Sequence, residues 1–198
     1  MDLNGGNDMN TRKQLYNMVL LALFAGLIFL MGQTPLGLIP LGFCNVTLLV
    51  IPVAVGTLYM GWKNGLILGA TFAATSLLSA LTKPSALVAT LMGASPALAI
   101  LMTVLPRLAI PLVIYGVNKL LNRMKPALSA AIASACGSLT NTVLYLGLML
   151  LFYILCGIDN TTVLTTIAAV AGGAGPLEAI AAAIIAPPIL TALRKIKK

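Results

Sequence analysis

The stretch VTLLVIPVAVGTLYMGWKNGLILGATFAATSLLSAL, residues 46–81, contains a single charged side chain, Lys63, in 36 positions. On both sides of Gly61-Trp62-Lys63-Asn64-Gly65 the chain is apolar enough for lipid. Trp and Lys are the residues expected where a helix passes from hydrocarbon into the headgroup layer. The stretch therefore predicts two membrane helices, over 46–61 and 66–81, joined by a short turn.

The rest of the chain continues this pattern. Of 198 residues, 60% are hydrophobic and 8% are charged, with a mean hydropathy of +1.04, whereas a soluble domain carries about a quarter charged residues. So few ionisable groups cannot cover a water-facing surface, and lipid must contact much of the exterior. Further spans are expected over 15–31, 106–119, 126–154 and 176–194. The expected fold is an all-α integral membrane protein with six transmembrane helices, built as one membrane domain over 12–198. The first span has no small-residue cleavage site at its end and reads as a retained helix, not a signal peptide. Residues 1–11 are polar and Gly/Asn-rich and are expected to form a disordered leader, within which Met9 is an equally good start. Pro106 and Pro126 suit the first turns of their helices. The pair Pro187-Pro188 should kink or locally unwind the last one. Residues 33–45, 82–103 and 156–176 are rich in Gly and Pro and are expected as long outer loops, the last two partly helical.

Of the 12 basic residues, all but Lys83 and Arg107 fall on one side of this six-span arrangement. The excess of Lys and Arg in cytoplasmic segments places both termini in the cytoplasm. Clustered between apolar runs in this way, the basic residues report topology and not a nucleic-acid surface.

Catalytic chemistry has little material to work with. The chain contains no His, and Cys44, Cys136 and Cys156 are isolated, so no metal-ligand set can be assembled. Each Cys reads as a small packing residue; a Cys44–Cys156 disulfide at the outer side is open but unsupported. Outside the leader the only acids are Asp159 and Glu178, which leaves no acid/base pair, and there is no phosphate-cradling GxxxxGK[ST] loop. The chain reads as a non-enzyme without a cofactor, and any ATP would have to be hydrolysed by partner subunits.

The polar residues placed against the apolar pattern are the candidates for binding. Arg107 is expected at the outer start of the fourth span, where a helix N-terminus and a guanidinium together would favour an anion; a snorkelling or Glu178-paired structural arginine is the alternative. Glu178, expected in the first turn of the sixth span, either completes that helix start or accepts hydrogen bonds from a ligand. Asn141 lies in GSLTNTVLY with Ser138, Thr142 and Tyr145 at three-and-four spacing, which marks either interhelical glue or a pocket floor. Asn45 and Thr47 repeat that signal at the mouth of the second span. Ala22 and Gly26, four apart on the first span with Ala25 and Gly32 nearby, suit close approach of another helix. A membrane scaffold built on such faces is a competing reading, as is a lipid-modifying enzyme, which the missing His disfavours.

Taken together, TPLGLIPLGFCNVTLLVIPVAVGTLYMGWKNGLILG (34–69), VLPRLAIPLVIYGVNKLL (104–121), GSLTNTVLYLG (137–147) and PLEAIAAAIIAPPI (176–189) resemble the S components of energy-coupling-factor (ECF) vitamin transporters. The resemblance implies a multi-pass subunit in a prokaryotic plasma membrane that captures a vitamin at its outer face under the first and third loops. It also implies docking through Ala22 and Gly26 on a coupling transmembrane subunit driven by two ATPases, and toppling in the membrane to release cargo. Ala73-Ala74 and Gly61-Trp62-Lys63 depart from the Phe-Gly and Gly-Pro-Lys more usual in relatives. The PLGLIPLGF loop with Asn45 and Thr47, and the Pro106-Arg107 step, are most similar to the pantothenate subgroup. Folate, hydroxymethylpyrimidine or a modified base are the other ligands the resemblance admits. In this reading Arg107 meets a carboxylate while Asn141, Tyr145 and Glu178 bind the polar body of the ligand.

Overall fold

The computed structural model describes residues 5–34, 38–40 and 45–196, with side chains over 14–34 and 47–195. Helix α1 (Gly5–Gln33) is followed by a two-stranded antiparallel ribbon, β1 (Leu38–Pro40) and β2 (Asn45–Thr47). Then come α2 (Val50–Met60), α3 (Trp62–Thr82), α4 (Ala86–Ala94), α5 (Pro96–Leu120), α6 (Pro126–Leu155), α7 (Thr161–Gly172) and α8 (Ala174–Ile196). Among the described residues five segments are long and apolar enough to cross a membrane: Gln14–Gln33, Trp62–Thr82, Pro96–Leu120, Pro126–Leu155 and Thr161–Lys195, the last taking in α7 and α8.

The expected span at 46–61 is different. Its first residues pair in the ribbon, with Leu38 opposite Thr47 and Pro40 opposite Asn45, and the helix that remains has 11 residues. At 1.5 Å per residue that is about 17 Å, roughly half the hydrocarbon thickness. Every residue from Val50 to Leu58 is buried. The apolar run is therefore a core helix, packed on α3, α5 and α8. Gly61 turns the chain from α2 into α3 with φ +90°, a conformation that suits glycine, and its N–H caps α2 on the Thr57 carbonyl at 2.9 Å.

The prolines depart from expectation at two places. Pro106 does not start a helix: α5 begins ten residues earlier, at Pro96, and runs through both Pro106 and Pro111. Pro96 satisfies the first-turn preference instead, and a membrane bundle can hold interior prolines where neighbouring helices accommodate the freed carbonyls. The outer loop at 82–103 shrinks accordingly to the α3–α5 connection bearing α4. The helix α8 is likewise continuous through Pro187-Pro188. At the other end, α1 begins at Gly5, so helical backbone extends into the polar stretch read as a disordered leader. Once the apolar span has nucleated a helix, each added residue gains a hydrogen bond at little further cost. Cys44 lies outside the described residues, and with it the Cys44–Cys156 pairing.

Among the described residues two buried clusters organise the interior. One gathers Ile28, Leu68, Phe72, Ile110, Ile114 and Leu190 around α2. The other gathers Leu91, Met102, Met149, Phe152, Tyr153 and Val163 beneath α4 and α7, where the Tyr153 hydroxyl donates to the Leu87 carbonyl at 2.6 Å. A cavity is walled by members of both.

Candidate functional site

The cavity has a volume of ≈ 860 Å³ and is lined from α1, β2, α3, α4, α5, α6, α7 and α8. Arg107 enters from the middle of α5, about halfway along a helix some 37 Å long. It is therefore a mid-span cation, and the expected assistance from a helix N-terminus does not apply. Its guanidinium carbon lies 4.6 Å from the Tyr145 ring centroid and 5.5 Å from that of Phe72. Its Nε and Nη1 atoms are buried without a hydrogen-bond partner. Among the described residues no ion pair joins it to Glu178, so the salt-bridged structural arginine is not what forms. An aromatic face stabilises a desolvated cation by about 2 kcal/mol or more. An unmet buried donor costs about 1–3 kcal/mol, more when charged. The rings hold the charge but leave the directional donors unanswered.

Glu178 is buried, and α8 starts four residues before it, at Ala174, which places it past the first turn. The helix begins ahead of Pro176 because Ala174 and Gly175 take helical backbone as well. Its Oε1 accepts the Thr47 backbone N–H at 2.6 Å, and its Oε2 accepts the Thr142 hydroxyl at 3.4 Å. One carboxylate thus ties the end of the ribbon to α6 and α8, which sequence separation concealed. A carboxylate has about four lone-pair sites, so two contacts do not exhaust it. Glu178→Ala is expected to lower unfolding stability by about 1–3 kcal/mol by leaving the Thr47 N–H unpaired, measurable as a reduced melting temperature in detergent. Glu178→Gln, which retains an acceptor for that N–H, should lose less. Equal melting of all three proteins would remove the tether from the account.

Asn141 is buried on α6 with its Oδ1 unpartnered, and Asn141, Thr142 and Tyr145 all face the cavity. Ser138 is buried one turn away without a side-chain partner but is not part of the lining. Thr47 lines the cavity; of Asn45 the structure describes the backbone, paired opposite Pro40. Ala22 and Gly26 lie elsewhere, on the outward face of α1, and a Cβ added at Gly26 would meet nothing within 4 Å. Gly32, by contrast, turns inward and packs on Thr75 of α3.

Some lining residues were not singled out from sequence. Phe72 is indistinguishable there from any apolar residue of α3. Lys83, just past the end of α3, stands out in the sequence only as a topological exception. The Thr162, Thr165 and Thr166 side chains of α7 face the cavity from above, and their three-and-four spacing was the available signal.

Several membrane-crossing helices around a cavity lined by a buried arginine, a buried carboxylate, the Asn141 amide and several hydroxyls define a multi-pass membrane protein with a polar internal cavity. A family model described as ECF transporter, substrate-specific component, matches residues 16–190, and the chain belongs to that family. It is thus a substrate-specific subunit of an ECF-type importer. No curated relative matches the chain.

Proposed function

We propose that this subunit captures a small anionic vitamin, pantothenate above all, at the outer face of a prokaryotic plasma membrane, with both termini in the cytoplasm. The observation that carries the reading is Arg107: a buried cation whose Nε and Nη1 lack partners while its guanidinium lies over the Phe72 and Tyr145 rings on the cavity wall. A substrate carboxylate supplies those acceptors and neutralises the charge in one step. Asn141 and Tyr145 bind the hydroxylated, amide-bearing body, and Glu178 contributes its remaining acceptor capacity while holding Thr47 and the ribbon over the site. Folate meets the same requirement through its carboxylates. Neutral hydroxymethylpyrimidine leaves the arginine unanswered and is disfavoured.

Native mass spectrometry of the gently extracted protein tests this directly. A bound mass equal to one pantothenate, exchangeable with added labelled pantothenate, is the expected result. A neutral vitamin in its place overturns the anion reading.

Import requires a coupling transmembrane subunit and two ATPases, which hydrolyse the ATP. Their docking face in this reading is the outward stripe of Ala22 and Gly26, which has room for a second backbone. Ala22→Leu with Gly26→Leu should leave vitamin affinity unchanged and reduce co-purification of the coupling subunit by about ten-fold, a loss on the order of that for an overfilled helix contact. Undiminished co-purification would move docking to another face.

A further inference from the structure

A second cavity, of ≈ 350 Å³, lies among the ends of α5, α6 and α8. Lys119 in the last turn of α5 and Arg194 in the last turn of α8 converge on it. Along α8, Arg194 is about 24 Å from Glu178, so this cavity and the vitamin site occupy opposite ends of the bundle. Both side chains are exposed to solvent at the edge of this cavity, and an anion held between them would gain from both charges. No acid is among the lining residues, and the acids with described side chains, Asp159 and Glu178, belong elsewhere.

The remaining walls donate hydrogen bonds. Asn118 accepts the Ser129 hydroxyl through its Oδ1 at 2.9 Å, which leaves its amide N–H groups as donors, and Asn122 adds a second amide. Tyr115 and Met124, each 38% exposed, form an amphipathic rim where the spans end. Tyrosine is enriched at headgroup depth in this way. Two cations, two amides and an apolar rim at the end of the membrane spans match a phosphodiester whose acyl chains run along the bundle.

We infer that this cavity is a binding site for the phosphate of an anionic phospholipid headgroup, held between Lys119 and Arg194. A soluble phosphate offers the same chemistry without the chains. The volume is at the lower end of the range for small-ligand sites, about 300–1,000 Å³, and suits a headgroup better than a nucleotide.

The full chain, purified from mixed micelles of phosphatidylglycerol and phosphatidylcholine, provides the test by native mass spectrometry. The wild type should retain one phosphatidylglycerol in preference to phosphatidylcholine. The double variant Lys119→Gln/Arg194→Gln should retain it at least ten-fold less, since each basic residue near an anionic lipid is worth about five-fold. Lys63→Gln, another basic residue near a turn but outside this lining, should retain it as the wild type does, and all three proteins should melt alike in neutral detergent. Equal retention of the two lipids, or equal losses from Lys63→Gln and the double variant, overturns the site in favour of general surface charge. Stabilisation by inorganic phosphate in phosphatidylcholine alone, with no phosphatidylglycerol preference, overturns the lipid assignment in favour of a soluble phosphate. None of these outcomes depends on which vitamin occupies the other cavity.

Discussion

Arg107→Ala is expected to weaken vitamin binding by about 2 kcal/mol or more, roughly thirty-fold, as loss of a charge-assisted hydrogen bond in a buried site does. The same substitution should leave the ligand-free protein at least as stable as before. Wild-type folding buries a guanidinium with two unanswered donors, and removing an uncompensated buried charge relieves its desolvation cost even after the contacts to Phe72 and Tyr145 are lost. Affinity and stability therefore move in opposite directions, which separates a binding residue from a structural one. Arg107→Lys should fall between wild type and alanine, since it keeps the charge but loses the planar fork that meets a carboxylate at two points. Titration calorimetry with pantothenate, beside melting curves without it, reads both quantities. Unchanged affinity in the alanine variant removes Arg107 from the site; a large drop in ligand-free melting temperature makes it a structural residue.

The second large effect is expected at Gly69. Pro111 has no N–H, so the Arg107 carbonyl one turn before it loses its helical partner. Gly69 of α3 faces that carbonyl: a Cβ added there would lie 2.7 Å from the oxygen and 3.2 Å from the Pro111 ring. Neither backbone nor proline ring can swing aside as a flexible side chain can. Gly69→Ala must therefore push α3 and α5 apart, at a cost of about 1–3 kcal/mol. Because the displaced backbone is that of Arg107 itself, binding should weaken with stability. Gly26→Ala is the matched control: its added methyl meets nothing within 4 Å, so neither melting nor affinity should fall. Equal behaviour of the two variants would mean that α3 and α5 do not pack closely at Gly69.

The candidate site was partly legible because polar residues are conspicuous in an apolar chain. Arg107, Asn141, Tyr145, Glu178 and Thr47 stand out from sequence and line one cavity. Their local settings were less legible. A proline followed by an arginine reads equally as a helix start or as the middle of a longer helix, because what makes an interior proline tolerable lies elsewhere in the chain, as at Pro111, where Gly69 of α3 packs against the ring and the freed carbonyl. The run at 46–61 shows the same ambiguity, since a core helix and a lipid-facing span have the same composition.

Composition and the spacing of charges by themselves determined that this chain is a helical membrane protein that crosses the bilayer several times, and which few polar side chains stand against its apolar pattern. Those properties depend on which side chains lipid and water will accept, and each residue carries that preference with it. Only the tertiary structure decided that 50–58 is interior, that Arg107 lies mid-helix over two aromatic rings, and that Glu178 holds a strand 131 positions away. Burial and hydrogen-bond partnership are properties of pairs brought together by packing, and no single stretch of sequence contains both members.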